Sequence, residues 1–175
     1  MNINSQITDI ELNTGIVWNI LRTLPSRNST SSDNIPYILL KNCADSLTFI
    51  ITDIFRLILN TGQIPLIWKS SLITLLYKKG NKAHPKNYRP ISLTCTLCRI
   101  FERIVAGHIT TFLEDIKFFS QNQFGFLKSR STTTQLLSTM NDFYNALQDG
   151  YKIDIIYIDF SKAFDTVPIQ LLLKK

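Results

Sequence analysis

The stretch Lys152-Ile153-Asp154-Ile155-Ile156-Tyr157-Ile158-Asp159-Phe160-Ser161-Lys162-Ala163-Phe164-Asp165 decides how this chain is read. Residues 153–158 are apolar on both faces of an extended chain, which predicts a strand buried in a sheet. Asp159 ends that strand. A carboxylate at the C-terminal end of a buried strand, followed by an irregular turn, reaches an open cleft and can hold a hard cation through oxygen. Metal ions paired about 3.5–4 Å apart lower the barrier for a hydroxyl attacking a phosphate. Taken alone, an aspartate ending a strand is more often a turn-former. Its weight comes from the rest of the chain.

Upstream, Gly150 breaks a helix predicted from Ser131 or Thr132 to about residue 147, and a loop covers 119–130. Apolar residues at helical spacing (Leu97, Ile100, Phe101, Ile104, Val105, Ile109, Phe112) predict a helix over 97–113. Residues 89–93 read as extended, and 72–77 as a short strand delivering Lys78-Lys79-Gly80 to a turn. A further helix, with room for a kink, fits 37–60 through Leu47, Ile50, Ile51, Ile54, Leu57 and Ile58, and Gly62 stands where a helix stop should. Residues 25–36 form a loop, and 1–23 carry a helix-compatible pattern weakened by Gly15. Pro168 opens a last helix. This order suits α+β and α/β equally, so periodicity leaves the topology open.

The chain of 175 residues is long enough for one domain with a sizeable core, and its 45% hydrophobic content fits a globular protein. The net charge of +6 is unevenly placed. Residues 69–130 hold 11 Lys and Arg against three acids, whereas the remainder holds 8 basic and 10 acidic residues. Such a bias is the footprint of a polyanionic partner, and a solvated basic face is the alternative. The three cysteines include one Cys-x-x-Cys, Cys95 and Cys98, without a second Cys/His pair at ligand spacing. Buried thiols are therefore expected rather than a zinc or redox site. No basic leader precedes an apolar core, and the apolar stretch 46–59 is interrupted by Asp53 and Arg56 and too short to span a bilayer. An intracellular protein away from membranes is expected, and the Asn28-Ser29-Thr30 sequon carries no meaning there.

Four blocks together resemble the reverse transcriptases of non-LTR retrotransposons in order and approximate spacing. They are Pro65-Leu66-Ile67-Trp68-Lys69 with Lys78-Lys79-Gly80; Asn87-Tyr88-Arg89-Pro90-Ile91-Ser92-Leu93; Gln123-Phe124-Gly125-Phe126 through Arg130-Ser131-Thr132; and Tyr157 through Asp165. The resemblance covers residue 39 to the end. Upstream, Asp33-Asn34-Ile35-Pro36 resembles the family's Gly-Pro-Asp-Gly-Ile-Pro approach segment, with both glycines and the first proline missing. The resemblance implies an α+β fold: an incomplete right-hand polymerase with fingers, a first palm strand and packed helices. It also implies an N-terminal extension and linker over 1–36 and a partial reverse transcriptase domain over 37–175.

Roles follow by the same resemblance. Asp159 matches the first catalytic aspartate and a Mg2+ ligand, and the Phe160 carbonyl a second oxygen ligand. Phe164 matches the aromatic beneath the incoming sugar, with core packing as its alternative. Arg89, Arg99 and Arg103 fall where basic residues grip triphosphate or template, a task that suits the guanidinium fork. Gln123, Gly125 and Arg130 match the block along template and nascent base pair; for Gly125 the alternative is a tight turn with Phe124 and Phe126 anchored in the core. The implied partners are an RNA template, a DNA primer and dNTP.

No Asp-Asp pair occurs in the 175 residues. The family's aromatic-x-Asp-Asp hairpin, the rest of the palm and the thumb are therefore not among them, and Mg2+ binding by these residues alone is doubtful. Asp154 cannot substitute, being five residues from Asp159, roughly 16 Å along a strand. The expectation is part of an RNA-directed DNA polymerase that does not polymerise by itself. Two alternatives remain: a non-catalytic nucleic-acid-binding module, or a mobile-element remnant without function.

Overall fold

A computed structural model describes residues 6–28, 30–160, 163, 166–172 and 174. The chain forms two compact units, Met1–Phe119 and Ser120–Lys175.

In the first unit, α1 (Thr14–Arg22) starts where Asn13 Oδ1 accepts the Ile16 N–H at 2.9 Å. The helix expected over 37–60 is two helices, α2 (Tyr37–Asn42) and α3 (Ala44–Thr61), broken at Cys43 with φ −98° and ψ 18°. Gly62 closes α3 in the left-handed region at φ 67°, donating its N–H to Ile58 O. The buried face of α3 differs from the one its hydrophobic pattern predicts. Ala44, Thr48, Ile51, Thr52, Phe55 and Ile58 point inward, while Ile50 and Leu57 are exposed. The two threonines are tolerated there because each hydroxyl donates to the carbonyl four residues back, Thr48 to Ala44 O and Thr52 to Thr48 O.

The core joins α1, α2, α3 and α4 (Thr96–Asp115) through Leu12, Val17, Leu21, Leu24, Leu40, Phe55, Trp68 and Ile100. Residues 12–24 thus share a core with 40–100. Phe55, Trp68 and Phe101 meet pairwise with ring centroids 5.3–6.0 Å apart and rings inclined by 47–74°. Trp68 sits in a short 3-10 turn, Leu66–Lys69.

From that turn the chain enters β1 (Leu72–Tyr77), which pairs antiparallel with β2 (Tyr88–Leu93), Leu72 opposite Leu93 and Tyr77 opposite Tyr88. Lys78 N–H donates to Asn87 O at 2.8 Å, marking 78/87 as a bonded pair. Alternation then puts Pro90, opposite Leu75, at a non-bonded pair where its missing N–H costs nothing. The sheet has two strands, and every side chain of β1 is exposed.

In the second unit α5 (Thr132–Gln148) begins at a capping box in which Ser131 Oγ accepts the Thr134 N–H and Thr134 Oγ1 accepts the Ser131 N–H. A short α6 (Ile169–Leu172) follows Pro168. The buried strand expected over 153–158 does not form. Residues 151–160 make no ladder, and Ile156, Tyr157, Ile158 and Phe160 are 79–89% exposed. An apolar run becomes a strand only against a neighbour that accepts its backbone hydrogen bonds, and the described residues of this unit offer none. The chain is a mixed helix-and-strand α+β structure with one small sheet.

The aromatic triad sets the stability of the first unit. Phe55→Ala removes a ring with no exposed surface and is expected to cost about 3–5 kcal/mol in urea-induced unfolding. Ile50→Ala on the exposed face of the same helix should stay within about 1 kcal/mol.

Candidate nucleic-acid interface

The β1–β2 hairpin carries the positive charge outward. No Asp or Glu occurs between Asp53 and Glu102, while Lys78, Lys79, Lys82 and Lys86 occupy the connecting turn and Arg89 lies on β2 opposite Leu76. All five side chains are exposed. The turn is held by its own backbone. Tyr77 and Tyr88 face each other across the non-bonded pair with centroids 5.6 Å apart. The Tyr77 hydroxyl donates to Gly80 O and the Tyr88 hydroxyl to Lys82 O. Asn87 Nδ2 donates to Asn81 O at 2.7 Å. Gly80 has φ 95°, and a Cβ there would meet Asn87 Nδ2 at 2.8 Å, so only glycine closes this turn without strain. Lys82 Nζ lies 5.6 Å from the Tyr77 ring. Lys82 and Lys86 are cations that motif matching passes over; the absence of acids from 54 to 101 is the signal that marks them.

Arg99 and Arg103 both lie on α4, as expected, but in different surroundings. The Arg99 guanidinium packs over the Tyr37 ring at 5.1 Å, and its Nε is buried without a hydrogen-bond partner. Arg103 is exposed and lines a groove with Asp9, Glu11, Gly107 and His108. That groove is edged by the N-terminal segment, where His108 Nε2 lies 2.8 Å from Thr8 O.

Gln123, Gly125 and Arg130 are brought together in one loop of the second unit. Arg130 Nη1 donates toward the carbonyls of Ser120, Gln121 and Gln123, and its guanidinium lies 5.6 Å from the Phe124 ring. Arg130 therefore holds the loop closed. Gln123 Nε2 donates to Gly125 O at 3.4 Å. The alternative of a turn with both phenylalanines in the core is corrected, because Phe126 is fully exposed and takes the left-handed φ of 63°. A Cβ at Gly125 would meet nothing within 4 Å, so its surroundings are open.

Asp159 and Phe160 are exposed neighbours in the irregular segment 151–160. Phe164, with Ser161, Lys162 and Asp165 of the same block, lies outside the described residues. Among the described residues no three His, Cys, Asp or Glu side chains come together, so they do not assemble a site for Mg2+. Cys95 and Cys98 are buried and free. Cys95 Sγ accepts the Cys98 N–H at 3.3 Å at the start of α4, and the Cys98 thiol donates to Glu102 Oε1 at 3.5 Å. Burial pushes both thiols up, Cys98 to about 12 with Glu102 adding to the effect.

Residues 77–175, more than half of the chain, match the family described as reverse transcriptase (RNA-dependent DNA polymerase). The chain belongs to the reverse transcriptase family. Among curated relatives, the probable RNA-directed DNA polymerase from transposon BS of Drosophila melanogaster is 28% identical over 148 residues, 84% of this chain and 16% of the relative. The X-element polymerase of the same species is 30% identical over 129 residues, 71% of this chain and 14% of the relative. The polymerase from its mobile element jockey is 28% identical over 152 residues, 86% of this chain and 17% of the relative. The chain thus spans less than a fifth of the length of these relatives. The resemblance read from the four sequence blocks holds. Among the described residues no helix is long and apolar enough to cross a membrane.

The thiols give a pH test. A folded-state value raised above the ordinary 9.0 keeps Cys98 protonated, so the stability tied to it is full below pH 9 and is lost as pH climbs toward 12. At pH 8 a thiol reagent is expected to label half-buried Cys43 first, and Cys95 and Cys98 only at the rate of unfolding. Rapid labelling of all three in the folded protein would contradict this burial.

Proposed function

We propose that these 175 residues supply the template- and nucleotide-contacting part of an RNA-directed DNA polymerase, with residues 37–175 forming a partial reverse transcriptase domain and 1–36 an extension to it. The observation that carries the reading is the acid-free, lysine-rich hairpin, locked by its tyrosine pair, in a chain of the reverse transcriptase family. Exposed ammonium and guanidinium groups on a preformed turn meet a phosphate backbone with little ordering cost. The proposed partners are an RNA template, a DNA primer and dNTP.

In this reading Arg89, Arg99 and Arg103 contact phosphate, and Gln123, Gly125 and Arg130 lie along the template and nascent pair. The open surroundings of Gly125 and the carbonyl contacts that hold Arg130 are compatible with a loop shaped for close approach. Asp159 would be the first catalytic carboxylate, Phe160 would offer its carbonyl, and Phe164 would sit beneath the incoming sugar. Magnesium would supply charge neutralisation and activation of the attacking hydroxyl, but the described residues do not gather a ligand set for it. No catalytic step is therefore assigned to these residues. A second reading, nucleic-acid binding without catalysis, is favoured by the exposure of the hairpin's cations, which need nothing from Asp159.

Titration of a labelled single-stranded RNA by the chain tests the interface. The triple variant Lys79→Ala/Lys86→Ala/Arg89→Ala is expected to bind more weakly and to lower the salt slope of log K by about 2, near 0.7 per lost phosphate contact. Unchanged affinity and slope would remove the hairpin from the interface. Asp159→Ala should bind RNA as the parent does. The 175-residue chain is expected to incorporate no nucleotide on a primed RNA template; manganese-dependent incorporation abolished by Asp159→Ala would overturn that.

A further inference from the structure

Residues 31–37 lack the glycines and first proline of the family pattern, yet they form a tight polar knot. Asp33 Oδ2 accepts the Thr96 N–H at 2.7 Å at the start of α4. Asp33 Oδ1 accepts the Ser31 hydroxyl at 2.7 Å and the Ile35 N–H at 3.2 Å. The Thr96 hydroxyl donates to Ile35 O at 2.9 Å. With both hydroxyl protons so directed, the 3.2 Å approach of Ser31 and Thr96 is packing, and both residues are buried. Asn34 holds φ 56°, the left-handed conformation that glycine supplies most cheaply and asparagine next. Asn34 supplies the left-handed turn of this loop.

Three donors converge on one side chain, and only a carboxylate accepts at both oxygens. An anion also suits the positive end of a helix of 20 residues. Arg99 is the fourth residue of α4, and directly after Pro36 stands Tyr37, whose ring lies under the Arg99 guanidinium. Among the described residues Arg99 has no carboxylate partner, and its Nε is buried and unpaired. No carboxylate among the described residues occupies the Arg99 guanidinium fork, whose geometry suits the oxygens of a phosphate.

We infer that Asp33 is a positioning residue: by clamping residues 31–37 onto the first turn of α4 it fixes Tyr37 beneath Arg99 and presents the Arg99 guanidinium to a phosphate group. This rests on the phosphate role proposed for Arg99 above. It predicts a sign that charge alone does not. Removing a carboxylate near an anion site strengthens anion binding by Coulomb's law. Removing a positioning carboxylate weakens it.

The test is calorimetric titration of the full 175-residue chain with inorganic tripolyphosphate at low salt. Arg99→Ala is expected to weaken binding about tenfold, the scale of one charge-assisted hydrogen bond. Asp33→Ala should weaken it several-fold, and Asp33→Ala/Arg99→Ala no further than Arg99→Ala alone. Asp33→Asn, with one acceptor oxygen, should fall between. Tyr37→Leu leaves the knot intact and serves if Asp33→Ala does not fold; it too should weaken binding only when Arg99 is present. The Arg99 Nε–H resonance should move in both Asp33→Ala and Tyr37→Leu. If Arg99→Ala leaves affinity unchanged, the phosphate role of Arg99 fails, and the positioning role with it. If Arg99→Ala weakens binding while Asp33→Ala strengthens it and Tyr37→Leu leaves it unchanged, the phosphate role stands and the positioning role alone is overturned.

Discussion

Phe55, Trp68 and Phe101 come from three separate pieces of chain, and their mutual contact fixes where the rest of the first unit can go. Phe55 brings α3, Phe101 brings α4, and Trp68 ties down the turn from which the hairpin departs. The hairpin returns at Cys95 and Thr96, both almost fully buried at the start of α4. Its two roots are thus anchored in one core while β1 and most of β2 stand in solvent. Orientation comes from the roots, and local shape from Tyr77, Tyr88 and Gly80. An isolated two-stranded ribbon is marginal in water. This one borrows its order from the aromatic cluster beneath it.

Much of the fold was legible because local signals agreed with each other. Gly62, Ser131 and Pro168 punctuate the helices where their chemistry predicts. The strand at 72–77, the Lys-Lys-Gly turn and the extended segment at 89–93 were legible, while their antiparallel pairing comes from the structure. The inward face of α3 was not legible. Hydropathy ranks Ile50 and Leu57 above Thr48 and Thr52, and a threonine that satisfies its hydroxyl within the helix escapes that ranking. The failure at 153–158 has a different origin. Its pattern states a preference for burial, but burial requires partner strands that these residues do not contain.

The sequence names candidate residues but not what holds them in place. Motif matching proposes Arg89, Arg130 and Asp159 because those residue types suit the chemistry. It could not find that Arg130 spends its guanidinium on loop carbonyls, or that Tyr77 and Tyr88 hold a lysine-bearing turn. Residues 31–37 show the same limit from the other side. A pattern counted by letters has asparagine where the family pattern has glycine, and it does not show that Asn34 takes a left-handed backbone.

The second unit holds no buried side chain among its described residues, and α5 keeps Leu136, Leu137, Met140, Tyr144 and Leu147 at 60–66% exposure. Heat capacity of unfolding scales with apolar surface newly wetted. A calorimeter would therefore weigh this molecule as a body of about a hundred residues, those sharing the Phe55 core, and would be nearly blind to the remainder. The melting enthalpy per residue, taken over the whole chain, would look low for a globular protein.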